Sequence, residues 1–164
     1  MNAIKLISTI VAGLTFSVGQ AANATDWADF SQSNTSVFIT SDNAQDTTVL
    51  RTVTAVCPVK GYLIAQAESM FGLYQGSTPG HSYVGYSLTL DSVAPIAYDV
   101  NHYRNLETYD PDGVQEIPAG IQRIVSCTAG QSVTINYVAY RIRAGINTYA
   151  WQPRLSVDFF DKRI

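Results

Sequence analysis

The stretch Ile121 to Tyr140, IQRIVSCTAGQSVTINYVAY, constrains the possible folds of this chain more than any other. Its second half alternates strictly. Val133, Ile135, Tyr137 and Ala139 fall on one face, and Thr134, Asn136, Val138 and Tyr140 on the other. Successive side chains of a strand point to opposite faces, so this pattern, rich in β-branched and aromatic residues, defines a half-buried strand. Thr128-Ala129-Gly130-Gln131 reads as a tight turn. The expectation is therefore a hairpin whose first strand carries Cys127.

The remaining chain repeats the theme. Ser36 to Thr40 is a short strand, Asp42 to Asp46 is turn chemistry, and Thr47 to Cys57 alternates with Val49, Val53, Ala55 and Cys57 on one face. Pro58 ends that strand because it has no N–H to donate. Gly61 to Phe71 holds Ala, Glu and Met that a helix would tolerate, yet its Gly-Tyr-Leu-Ile opening favours a strand buried on both faces. Gln75 to Gly80 is a loop, and Ser82 to Leu90 resumes alternation. Ile96 to Tyr98 and His102 to Tyr109 read as short or edge strands. Asp110-Pro111-Asp112-Gly113 has the residues of a type I turn, and Ile117 to Gly120 leads into the hairpin. Arg143 to Gln152 reads as a loop and Pro153 to Phe160 as the last strand. The sum is an all-β, antiparallel β-sandwich of jelly-roll type with about eight to ten strands, forming one domain over residues 36–164.

Residues 1–24 read as an export signal. Lys5 starts it, Leu6 to Val18 is apolar, and Ala22-Asn23-Ala24 offers a cleavage site. The apolar run is short of the roughly 20 residues a spanning helix needs, so the mature chain is expected to have no membrane span. Residues 25–35 form an extended N-terminal arm with Trp27 and Phe30. A secreted, extracellular or periplasmic location follows, and there two cysteines are expected to form one disulfide, Cys57 to Cys127. The formal net charge of −3 without a Lys/Arg cluster argues against nucleic acid as a partner. Only 14% of residues are charged, so neutral polar groups keep the chain soluble.

Taken in order, CPVKGYLIAQAES, then IPAGIQRIVSCTAGQSVTINYVAY, then RLSVDFF resemble the small jelly-roll domains of the C1q/tumour-necrosis-factor type. The shared traits are a Gly-Tyr strand near the start, a late hairpin and a closing strand ending in paired aromatics. The resemblance implies a sandwich that trimerises and binds ligands without catalysis.

Few residues suggest chemistry. Asp110, Asp112 and Glu116 cluster as calcium ligands do, but they lack the EF-hand spacing, and turn geometry explains the two aspartates. His81 and His102 have no metal-ligand spacing with Asp99, and Gly80-His81-Ser82-Tyr83-Val84-Gly85 is one residue too long for a nucleophile elbow. No metal, cofactor or catalytic set is expected. Two readings remain open. In the first, the domain self-associates through Trp27, Phe30, Val138, Tyr140 and Phe160, as a closed oligomer or a filament, and presents loops to another extracellular protein. In the second it is a lectin-like module. Tyr103, Tyr109, Tyr149, Trp151 and Asn105 would then bind a glycan or small ligand, since aromatic faces beside amides suit sugars.

Overall fold

The computed structural model describes residues 27–43, 45–74, 82–91, 103–108 and 113–161. They form the strands β1 (Trp27–Gln32), β2 (Ser36–Phe38), β3 (Thr48–Val56), β4 (Gly61–Tyr74), β5 (Ser82–Leu90), β6 (Tyr103–Thr108), β7 (Val114–Cys127), β8 (Ser132–Arg141) and β9 (Tyr149–Asp161). No helix among the described residues is long and apolar enough to cross a membrane.

Two antiparallel sheets face each other. The first has the order β1–β9–β4–β7, with β2 continuing β1 along the same edge of β9, and the second has the order β3–β8–β5–β6. If β1 and β2 are taken as one interrupted strand, the chain pairs from its ends inward. The first strand pairs with β9, β3 with β8, β4 with β7 and β5 with β6. Such nested pairing, rolled into two layers, is the jelly roll.

Alternation decides what lies between the layers. Leu63, Ala65, Ala67, Phe71 and Leu73 of β4 and Leu155, Val157 and Phe159 of β9 face inward from the first sheet. Val53, Val84, Leu88, Val133 and Ile135 meet them from the second. An aromatic trio spans the gap: Phe71 lies 5.4 Å from the Tyr86 ring and 6.5 Å, edge-on, from Tyr137. Burial, then the neighbouring Tyr86, push the Tyr137 phenol well above its ordinary value. β4 is thus a strand, as its opening residues indicate, but it is buried on one face only. The other face runs through Gln66, Glu68 and Met70, which are exposed.

The expected hairpin is not one. β7 belongs to the first sheet and β8 to the second, so Thr128 to Gln131 is a corner between layers. Gly130 takes the left-handed φ of 75° that this turn requires. Its N–H donates to the Cys57 carbonyl at 2.7 Å, and the Cys57 N–H donates to the Gln131 carbonyl at 2.9 Å. The corner is therefore pinned to the end of β3. Cys57 and Cys127 are disulfide-bonded with Cα atoms 6.3 Å apart, tying the two sheets together at the same end.

Three further departures have local causes. A register shift between Val49 and Arg51 moves Leu50 into the core and leaves Val49 partly exposed, reversing the expected phase at the start of β3. β9 begins at Tyr149, where a loop was expected. It carries Pro153 within it because the register shifts opposite Glu68 and Met70, leaving Pro153 at a bulge beside Gln152, whose φ is 46°. The arm, too, is a strand: β1 pairs with β9 from Trp27↔Phe159 to Gln32↔Arg154.

The bridge closes a loop of 70 residues. Replacing both Cys57 and Cys127 by Ala is expected to cost about 4 kcal/mol on the chain-entropy account, measured by denaturant unfolding; a loss below about 1 kcal/mol contradicts it.

Candidate functional site: the outer face of the first sheet

With the odd-numbered residues of β4 turned inward, its even-numbered residues form the middle of an outward face, and the registers order their neighbours into rows across the sheet. Phe38, Tyr149, Gly72 and Glu116 make one row. Ser36, Trp151, Met70 and Pro118 make the next. Gln32, Arg154, Glu68 and Gly120 follow, then Phe30, Ser156, Gln66 and Gln122. Ile64 lies between Asp158 and Ile124, and Tyr62 between Phe160 and Ser126, at the far end. Pro118 is accommodated because β7 is an edge strand.

In the first row the absence of a side chain matters. A Cβ at Gly72 would strike the Tyr149 ring. The ring instead lies across the glycine, and its hydroxyl donates to Glu116 Oε1 at 2.8 Å. Phe38 and Tyr74 flank it, with ring centroids 6.4 and 6.3 Å away. Burial first, then the hydrogen bond to Glu116 and its negative charge, raise the Tyr149 phenol to about 12.

Beyond this row the face is grooved. A cavity of about 710 Å³ is lined by Glu68, Met70, Pro118, Gly120, Trp151 and Arg154, among others. Past the ion pair between Arg154 Nη1 and Glu68 Oε1 (3.3 Å), a second of about 580 Å³ runs on to Phe30, Gln66 and Gln122. The bare backbone at Gly120 lines both. The exposed ion pair is worth about 0–1 kcal/mol to stability, so its interest lies in the polar groups it presents.

The residues singled out in the sequence are divided by the fold. Tyr149 and Trp151 come together on β9 and this face, half-buried and exposed respectively. Asn105 is exposed on β6, at the edge of the other sheet. The backbone of Tyr103 pairs with Ser87 there, while Tyr109, Asp110, Asp112, His81 and His102 lie outside the described residues. Among the described residues no group of three or more His, Cys, Asp or Glu is arranged to hold a metal. Phe30 and Phe160 are exposed on the first sheet.

Val138 and Tyr140 require correction: both are buried within the single chain, at 0% and 9% exposure. Thr134 and Asn136, which share their face, suggested a wet one. Those residues are instead satisfied across strands, Thr52 Oγ1 donating to Asn136 Oδ1 at 2.8 Å and Thr54 bonding Thr134 at 3.1 Å. Thr52 and Thr54 stay exposed, so the cover on this face lies over Asn136, Val138 and Tyr140. Sequence reasoning missed Met70, Pro118, Gly120, Glu68 and Arg154. The outward alternation of Gln66, Glu68 and Met70 was the available signal.

No protein family matches this chain, and no curated protein does. Solved structures that it resembles include the tripod from the baseplate of bacteriophage Tuc2009, at 14% identity and a TM-score of 0.38 over 99% of this chain and 79% of that one. The infectious bursal disease virus VP2 subviral particle gives 14% and 0.39 over 96% of this chain and 37% of that one. The Gx strain of the same virus gives 14% and 0.44 over 100% and 38%. This chain thus spans less than half the length of the two viral chains. Similarity at that level says nothing about activity. Of the resemblance to C1q and tumour-necrosis-factor domains, only the jelly-roll form is seen in this fold.

Titration tests the Tyr149 geometry. A phenol whose value rises from about 10 to about 12 on folding adds stability that is complete below pH 10 and lost as pH climbs through 12. In Glu116→Gln the carboxylate charge is gone while the burial remains, and spectrophotometric titration should find the Tyr149 phenol shifted part of the way down from about 12. An unchanged titration curve contradicts the contact.

Proposed function

We propose that this chain is an exported, non-catalytic structural module that self-associates through the outer face of its first sheet. One observation carries this reading. Phe30, Phe38, Met70, Val114, Ile124, Trp151 and Phe160, most of the exposed large apolar side chains among the described residues, all belong to that face by register and alternation. Monomers rarely leave contiguous apolar patches beyond a few hundred Å² without a use for them.

The end of the face near Phe160, Tyr62, Ile64 and Ile124 is the stronger candidate for contact with a second copy. Ile124 is 60% exposed and stands on the edge strand β7. The same patch meeting itself about a two-fold axis makes a closed oligomer. The arm offers a second route. Asp29, Phe30 and Gln32 of β1 are exposed and Ser31 is half-buried, so backbone bonding to β9 is the main hold on these residues. A strand held in this way exchanges between copies readily, and head-to-tail exchange builds a filament.

Sedimentation equilibrium of the mature protein separates these outcomes. A mass above that of one chain is expected, reduced to one chain by Ile124→Asp. Dissociation on deleting residues 25–35, with Ile124→Asp silent, selects the arm. A single-chain mass at all concentrations contradicts self-association.

A further inference from the structure

The Trp151 end of this face differs from the Ile124 end, and we infer that its groove binds a neutral oligosaccharide. The inference rests on the reading of this face as a binding surface, but it does not require self-association. Three observations point to a sugar. The first is the platform. Trp151 and Met70 are 46% and 37% exposed, and with Pro118 they form one apolar row, the kind of surface on which the C–H face of a pyranose ring stacks. The second is the polar rim. Glu68, Arg154, Glu116 and Gln152 line the same cavity and bring both donors and acceptors to hydroxyl groups lying above the platform.

The charges on that rim are already matched or occupied. Arg154 pairs with Glu68, and Glu116 accepts the Tyr149 hydroxyl, so no unpaired cation among these groups attracts an anionic ligand. A second protein copy laid over them would have to desolvate the ion pair, which is costly. Sugar hydroxyls instead replace water at the same groups one for one. This separates a glycan from another protomer as the occupant.

The third observation is the room along the groove. Gly120 faces Glu68, and the continuation toward Gln66 and Gln122 adds two amides about 13 Å along β4 from Met70, at roughly 3.3 Å per residue. A chain of sugars fits that length better than a single ring. The amides offer both a donor and an acceptor each, as hydroxyl recognition needs.

Isothermal titration of the mature protein with cellohexaose, laminarihexaose, maltohexaose and chitohexaose tests this. At least one is expected to bind, with Trp151→Ala weakening it about tenfold or more. A Cβ at Gly120 meets only the Ala67 carbonyl at 3.6 Å, an ordinary contact, so Gly120→Leu should fold and abolish binding by filling the groove. Ile124→Asp should leave binding unchanged. Failure of all four sugars to bind at about 10 mM overturns the inference, as does binding that survives both groove variants. Binding without self-association leaves the groove standing alone, and self-association without binding leaves the assembly reading alone.

Discussion

The packing of the odd-numbered side chains of β4 against the second sheet is the constraint on which the rest of this molecule depends. Leu63, Ala65, Phe71 and Leu73 are fully or almost fully buried, and Phe71 packs against the rings of Tyr86 and Tyr137. Because strand periodicity is two, a slip of one residue would turn this whole set outward. Fixing it inward fixes Tyr62, Ile64, Gln66, Glu68 and Met70 outward. β4 pairs with β7 along its whole length and with β9 along most of it, so its register propagates to both neighbours. The rows on the outer face, and the groove between them, follow from that one choice.

Two glycines and a bulge tune the face further. Gly72 lets the Tyr149 ring cross the sheet to Glu116, and Gly120 leaves the groove unfilled. The bulge at Gln152 and Pro153 takes up the extra residue on β9, so that Trp151 lies opposite Met70 while Arg154 lies opposite Glu68. Without it, alternation would place one of the two inside. The groove therefore belongs to the backbone as much as to its side chains.

Much of this was legible in the sequence because strand signals are local. The strand character of β5 and β8, the turn chemistry around Asp42 and the pairing of the two cysteines each stand in a few residues, although both strands are buried on both faces over most of their length, where alternation indicated one. What was not legible is non-local. Nothing within Thr128 to Gln131 says whether the next strand turns back beside the last or crosses to the other layer. That is settled by the Cys57 backbone, far away in the chain. Asn136 is buried although it read as wet, because its cross-strand partner, Thr52, is invisible in a single segment. Tyr149 and Trp151 read as loop residues, since Pro153 hides a strand whose bulge only the pairing with β4 reveals. The candidate site was half legible: its aromatic residues were, and the polar rim on the neighbouring strands was not.

The outer face of the first sheet thus unites an apolar end, proposed to meet another copy, with a mixed end, proposed to bind a sugar. The central claim is that this face, and not the second sheet or the loop near Ile146, is where the protein meets other molecules. Hydroxyl-radical footprinting of the native protein across a concentration series tests it most directly. The account predicts that Phe160, Phe30 and Tyr62 lose reactivity as concentration rises, while Val56 on the second sheet and Ile146, exposed at 56% and 79%, keep theirs. Protection confined to Val56 or Ile146, with Phe160 and Phe30 unchanged, would contradict it.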